Sequence, residues 1–327
     1  MTISILGAGA WGTAIAISLS NKQDVILWTR NKNTFESINF TRKSDRLFGY
    51  KIPDNVRIKF DIEEVVNVST VILAVPTQSL REVSQKLYDC GLKKNVAIIL
   101  ASKGIENSTL KLPSEIVNEI LPSNQIAIFS GPSFAVEVAK KLPYTMVLAC
   151  QNSTLGLKLI SKLQEKNIKL HFSRDVIGVQ ICAALKNVFA IACGIILSKK
   201  LGYNAHAALI TNSMNEIKTL YSAKTGKTNI DIDTLLGPAC LGDLVMTCTS
   251  LNSRNLSLGF KIGSTNTSFD IHQILSEDKS VIEGFSTAQS AFDLIEKLKI
   301  KMPICEAVYK ILHDSVSVED TVAALIS

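Results

Sequence analysis

The sequence predicts an α/β fold: an N-terminal doubly wound, mostly parallel sheet followed by an all-helical C-terminal domain. Short runs rich in branched apolar residues alternate with helix-compatible stretches through the first half, and such alternation implies parallel strands joined by right-handed crossovers. A glycine cluster falls directly after the first of those runs. Strand patterns then stop near Val176, beyond which helical patterns dominate. The division is drawn at residue 178, giving an α/β domain over 1–178 and a helical domain over 179–327.

Ile3–Leu6, Val25–Trp28, Val71–Val75, Val96–Leu100 and Ile126–Ser130 read as short buried strands, because a parallel sheet covered on both faces needs continuous apolar runs rather than alternation. Tyr144–Ala149 adds a further candidate. Between the runs lie helical stretches at Gly12–Ser20, Leu80–Leu87, Thr109–Ile120 and Leu155–Lys166. The second half reads as helices at Val176–Leu197, Ala205–Thr219, Gln289–Leu298 and Glu306–Leu312.

With 327 residues, 46% of them hydrophobic and 20% charged, the chain can bury one or two cores and does not read as disordered. The net charge of +6 is spread thinly, and its densest cluster, Arg42-Lys43-Ser44-Asp45-Arg46, is interrupted by an acid. No nucleic-acid partner is expected from that pattern, whereas a small anionic substrate suits it. The N-terminus runs into glycines without a basic segment or a long apolar stretch, so no signal peptide is expected. The most apolar long segment, Ile177 to Leu197, carries Gln180, Lys186 and Asn187 and reads as a buried helix, with no membrane insertion. Seven cysteines without a Cys-x-x-Cys pair read as reduced, mostly buried thiols of a cytoplasmic protein. The four histidines lie far apart, so no metal is expected.

Gly7-Ala8-Gly9-Ala10-Trp11-Gly12 fits G-x-G-x-x-G between a predicted strand and a predicted helix. In a Rossmann-type fold these glycines allow a tight turn, a close backbone approach to pyrophosphate and close helix packing. The helix N-terminus then presents amide hydrogens and a positive dipole to the phosphates. At the end of the second strand an NAD-specific site usually carries an acid for the ribose 2′-hydroxyl. This chain has Arg30 there, with Lys32 close behind. Cations at that place favour a 2′-phosphate, so NADPH is the preferred coenzyme and NADH the alternative; an ordinary solvated arginine would look the same.

Further polar clusters interrupt apolar sequence. Ser102-Lys103-Gly104 follows the strand ending at Leu100, where residues face the ligand crevice of a parallel sheet. Lys103 is placed to meet an anionic substrate or to be a surface loop lysine. Ser130-Gly131-Pro132-Ser133-Phe134-Ala135 also follows a strand, and is either a hydrogen-bonding turn at the site or a plain proline turn. Lys186-Asn187 sits within a helical run of apolar residues. A lysine there must snorkel, pair with a carboxylate, or serve chemistry. Burial lowers its pKa and a carboxylate raises it. Asp243, between Gly242 and an apolar run, is that carboxylate or a helix N-cap. Ser253-Arg254-Asn255 offers a guanidinium and an amide suited to phosphate, or a solvated loop.

Together these pieces resemble the bacterial-type NAD(P)-dependent glycerol-3-phosphate dehydrogenases over essentially the whole chain. The resemblance runs through Gly7–Gly12, Ala74-Val75-Pro76, Ser102-Lys103-Gly104, Ser130–Ala135 and Phe172–Asn187. It continues through Gly202-Tyr203-Asn204-Ala205, Leu241–Thr249, Ser253–Asn255, Val281–Gly284 and Met302-Pro303-Ile304. It implies reduction of dihydroxyacetone phosphate to sn-glycerol 3-phosphate, at the head of glycerophospholipid synthesis. It implies Lys186 as acid/base, with Lys103, Asp243 and Thr247 around the reacting carbons. Substrate contacts are implied for Gly131, Ser133, Asn187, Ser253, Arg254 and Asn255. Coenzyme contacts are implied for Ala10, Trp11, Arg30, Lys103, Ala135, Arg254, Val281 and Glu283. A homodimer is expected through the helical domain. Ala10 and Ala101 stand where many relatives have a hydroxyl residue, His206 where arginine is common, and Cys240 in place of a glycine.

Two rival readings fit parts of the same pattern. A 3-hydroxyacid dehydrogenase with a helix-borne lysine would recognise a carboxylate instead of a phosphate. A nucleotide sensor would keep the glycines but have no need of Lys186, Asp243 and Arg254 together.

Overall fold

The computed structural model describes residues 2–264 and 282–326. The chain divides into two compact units, Met1–Ser102 with Pro113–Val176, and Lys103–Leu112 with Ile177–Ser327. The segment Lys103–Leu112 thus leaves the first unit to join the helical one, an excursion that a single division of the sequence does not contain.

Among the described residues the first unit carries ten strands: β1 (Thr2–Leu6), β2 (Asp24–Trp28), β3 (Lys43–Ser44), β4 (Tyr50–Lys51), β5 (Val56–Lys59), β6 (Thr70–Leu73), β7 (Ala97–Leu100), β8 (Ile126–Ser130), β9 (Tyr144–Ala149) and β10 (Ile168–Ser173). Eight of them form one sheet in the order β10-β9-β8-β7-β6-β1-β2-β5, while β3 and β4 pair separately. Every pairing in the large sheet is parallel except β8 with β9. The central strands β6 and β7 are buried at every residue, as their unbroken apolar sequences require.

The two edge strands, β5 and β10, lack the continuous apolar sequence of the central strands. Val56-Arg57-Ile58-Lys59 and Ile168-Lys169-Leu170-His171 alternate apolar and polar residues, and their burial alternates with them. A search for continuous apolar runs passes over edge strands, which keep polar side chains on their open side. Helix Ala10–Leu19 buries every residue from Gly12 to Leu19, so it lacks a polar face and packs wholly within the apolar cluster of Ile3, Ile5, Leu27, Ile72, Ile99 and Leu148. The helix expected over Thr109–Ile120 is shorter, Pro113–Ile120. Leu110 adopts a left-handed φ of 61° and cannot continue it.

In the second unit, helix Val176–Ser198 supplies the centre of the core, with Ile181, Leu185, Phe189, Ala192 and Ile196 all fully or nearly fully buried. It is long and apolar enough to cross a membrane, and 89% of its most apolar window is buried within the protein. Helix Arg254–Ser264 crosses it backbone to backbone. A Cβ added at Gly259 would lie 1.9 Å from the Ile191 carbonyl oxygen, and one added at Gly194 2.1 Å from that of Leu256. Helix Tyr203–Thr225 contributes buried Glu216, whose carboxylate accepts the backbone N–H of Ile304 at 2.6 Å and of Cys305 at 3.2 Å. It thereby caps helix Pro303–His313, whose own N-cap Met302 offers no side-chain acceptor. Burial pushes Glu216 up to about 7, with the two amides pulling against it.

The crossing predicts that Gly259→Ala destabilises the protein by about 1–3 kcal/mol, the usual cost of overpacking. Gly9→Ala, where an added Cβ meets nothing within 4 Å, is expected to change stability by no more than about 0.5 kcal/mol. Urea unfolding followed by circular dichroism, in the absence of nucleotide, measures both.

Candidate functional site

Strand order in the first unit reverses at β1, which lies between β2 and β6. Ligands of doubly wound sheets bind beyond the carboxyl ends of the strands at such a reversal. The glycine turn occupies that place. The Gly7 amide donates to the Trp28 carbonyl at 2.9 Å, and its φ of +117° would force a Cβ to 2.6 Å from the Ala74 carbonyl oxygen. A Cβ on Gly12 would stand 1.9 Å from the Gly7 oxygen. Gly9, by contrast, faces open space and serves as an N-cap without a side-chain hydrogen bond. Tight turn, open backbone and uncapped helix start fit a dinucleotide pyrophosphate. Trp11, half-buried near Phe129 with ring centroids 6.4 Å apart, has a buried indole N–H that meets no acceptor among the described residues.

Around this turn, Ser102 donates to the Val75 carbonyl at 2.6 Å, tying the crest of β7 to that of β6. Gly131 has a φ of +153°, and a Cβ there would come within 2.9 Å of Thr145 O and Met146 Cα. The Ser133 hydroxyl folds back to the Gly131 carbonyl at 2.9 Å, and Ala135 opens the short helix Ala135–Ala139. Arg30, just past β2, pairs with Glu82 at 3.1 Å. Glu82 carries no signal of its own in the sequence, because its partner is 52 residues away and no local pattern connects them.

The second unit assembles a charged cluster from three separate segments. Lys186 projects from the apolar helix, Asp243 opens helix Asp243–Thr249, and Lys103 comes from the segment Lys103–Leu112. The Asp243 carboxylate divides its oxygens: Oδ1 accepts from Lys186 at 2.5 Å and Oδ2 from Lys103 at 2.8 Å. Lys186 also donates to the Thr247 hydroxyl at 3.0 Å, which in turn donates to the Asp243 carbonyl at 2.6 Å. Side-chain exposure falls from 13% for Lys103 to 7% for Lys186 and 0% for Asp243. Of the two readings of Asp243, the structure selects the carboxylate partner, since Gly242 holds the N-cap position. A π-helical turn, Pro238–Gly242, containing buried Cys240, aims Asp243 inward, a device frequent at functional sites.

Burial drives the Lys186 pKa down, Asp243 pulls it up and Lys103 pushes it down again, leaving it at about 8. Burial acts to raise Asp243, but the two ammonium groups outweigh it and hold the carboxyl below its ordinary value. The group is thus a fully ionised carboxylate beside a lysine poised near neutrality. A lysine so placed can hold or release a proton near neutral pH.

Next to Lys186, the Asn187 carboxamide oxygen accepts from Asn255 at 2.9 Å, and the Asn255 oxygen accepts the Gly284 amide at 3.0 Å. Both polar ends of Asn255 are therefore engaged in bracing three helices. Ser253, buried, accepts the Leu256 amide and caps helix Arg254–Ser264, while Arg254 at its first position is exposed. Half-buried Glu283 is raised by burial, with Arg254, Lys103 and Lys186 acting to lower it. His206, buried, donates from Nε2 to the Cys248 carbonyl at 2.8 Å and so supports the end of helix Asp243–Thr249. Val281 lies outside the described residues.

Comparison with known proteins divides the chain between residues 156 and 175, with Lys103–Leu112 inside the N-terminal match. Models of the NAD-dependent glycerol-3-phosphate dehydrogenase N-terminus and C-terminus match residues 2–156 and 175–323. A glycerol-3-phosphate dehydrogenase (NAD(P)+) of Wolbachia sp. subsp. Brugia malayi is 76% identical over 326 residues, covering 100% of both chains. The protein of that name from Ehrlichia canis is 47% identical over 334 residues, again covering 100% of both. The crystal structure of glycerol-3-phosphate dehydrogenase from Coxiella burnetii superposes with a TM-score of 0.93 at 34% identity, over 100% of this chain and 98% of that one. The chain belongs to the NAD-dependent glycerol-3-phosphate dehydrogenase family.

Proposed function

We propose that the chain reduces dihydroxyacetone phosphate to sn-glycerol 3-phosphate, with Lys186 as the acid and NADPH preferred over NADH. The observation that carries this reading is the Lys186 ammonium, buried and shared between Asp243 and Thr247. A nicotinamide coenzyme supplies the hydride that reduces the C2 carbonyl. Lys186 gives its proton to the C2 oxygen as negative charge develops there, and its own charge stabilises that oxygen beforehand. Asp243 keeps the ammonium oriented, and Lys103 adds a second positive charge on the same carboxylate. Thr247 fixes the lysine from its other side.

Arg254 is assigned to the substrate phosphate, with Ser253, Asn255 and the amides that open helix Arg254–Ser264 around it. Holding the phosphate away from the reacting bond positions C2. Asn187, Gly131 and Ser133 are assigned to hydrogen bonds with the substrate. Gly7, Gly9, Ala10, Trp11 and Gly12 are assigned to the coenzyme pyrophosphate and Arg30 to the 2′-phosphate. Ala135, Lys103, Arg254 and Glu283 are further coenzyme contacts in this reading. We place the enzyme in the cytoplasm as a homodimer, supplying glycerol 3-phosphate to glycerophospholipid synthesis.

Three outcomes test these assignments. Coenzyme oxidation followed by absorbance is expected with dihydroxyacetone phosphate and not with dihydroxyacetone or a 3-ketoacid; turnover of the ketoacid instead would move the assignment to a hydroxyacid dehydrogenase. Lys186→Ala is expected to lower kcat by ~10²–10⁴-fold, the weight of a general acid; unchanged turnover would remove Lys186 from that role. In the reducing direction the lysine must carry its proton, so kcat/KM should decline as pH rises through about 8. In the oxidising direction the neutral amine is needed and the dependence should reverse.

A further inference from the structure

The ion pair between Arg30 and Glu82 connects the two strands that flank β1. Trp28 at the end of β2 and Leu73 at the end of β6 are both in register with Leu6 at the end of β1. Arg30 follows the first of these ends. Glu82 lies in the first turn of helix Leu80–Asp89, which follows the second. Their side chains meet at 3.1 Å beyond the carboxyl ends of the strands, where the glycine turn also begins. The other Glu82 oxygen accepts from Lys86 at 2.7 Å. Lys32, the second cation after β2, is turned instead to Glu36 of its own helix, 4.0 Å away.

We infer that Glu82 is a specificity-determining residue, the carboxylate that tempers the preference of Arg30 for a 2′-phosphate and keeps NADH usable. The inference rests on the dehydrogenase reading above and on Arg30 facing the adenosine ribose. NAD-specific sites place an acid at the end of the second strand, where it accepts the 2′-hydroxyl. This chain puts Arg30 at that position and brings a carboxylate to the same guanidinium from the helix after β6. Arg30, Lys86 and Glu82 together carry a single net positive charge. A 2′-phosphate, with its charge near two, must compete with Glu82 for both cations. A 2′-hydroxyl needs an acceptor, and Glu82 is one. Both partners of the pair are about half exposed, at 54% and 51% of the side chain, so the pair adds little to the stability of the fold and is open to rearrangement when an anion arrives.

The test is direct binding, read by quenching of tryptophan fluorescence in the full-length protein, alongside kcat/KM for each coenzyme. Glu82→Gln is expected to raise the NADPH-to-NADH ratio of affinities about tenfold, as expected for removing one like charge beside a phosphate. Glu82→Ala should move it the same way. The gain should shrink at high ionic strength and should largely vanish when Arg30→Ala is combined with it, because the two side chains act on each other. A ratio unchanged within about twofold, or one shifted towards NADH, overturns the role of Glu82 while leaving the dehydrogenase reading intact. A wild-type protein that binds neither coenzyme overturns both.

Discussion

A carboxylate without solvent exposure, held between two ammonium groups, is the interaction around which the helical unit is arranged. Removing three charges from water is costly, and the loss is offset only when geometry lets each oxygen and each ammonium find a partner. Asp243 meets that condition by giving one oxygen to Lys186 and the other to Lys103. The same balance leaves Lys186 far below the ordinary lysine value without neutralising Asp243. Electrostatic strain in the cluster and the proposed acid chemistry are two consequences of one placement.

The backbone around the cluster is built to hold that placement rigid. The glycines at 194 and 259 let helix Arg254–Ser264 lie against helix Val176–Ser198 with no side chain between them. The contact brings Asn255 to Asn187, one residue beyond Lys186, and Asn255 also accepts from Gly284 at the start of helix Glu283–Leu298. On the opposite side, Thr247 fastens Lys186 to helix Asp243–Thr249, whose far end is supported by His206. His206 is buried in helix Tyr203–Thr225. Its imidazole provides the N–H that the last turn of a short helix requires.

Constraint in the first unit is steric instead. Gly7 and Gly12 admit no side chain, since each would strike backbone within 2.6 Å, whereas Gly9 faces open space. Three glycines in one motif therefore do different things, two enforcing a turn and one leaving room above it. The openness at Gly9, with the uncapped start of helix Ala10–Leu19, is what makes the turn fit an anion.

Sequence alone determined the class of fold, the central strands and the identities of the charged residues, because those follow from local pattern. Continuous apolar runs mark central strands, and G-x-G-x-x-G marks a turn with one conformation. A lysine inside the apolar run Ile181–Ala190 is conspicuous wherever it falls. Edge strands β5 and β10 were not legible, since their alternating residues look like surface loops until a sheet lies beside them. Tertiary structure decided which partners the charges take. Lys186 and Asp243 are 57 residues apart, Lys103 and Asp243 140 apart, and Arg30 and Glu82 52 apart. It also decided that Asp243 faces two lysines rather than capping its own helix, and that Asn255 braces neighbouring helices. Electrostatic partnership depends on distance in space, which chain folding sets and which no spacing along the sequence encodes.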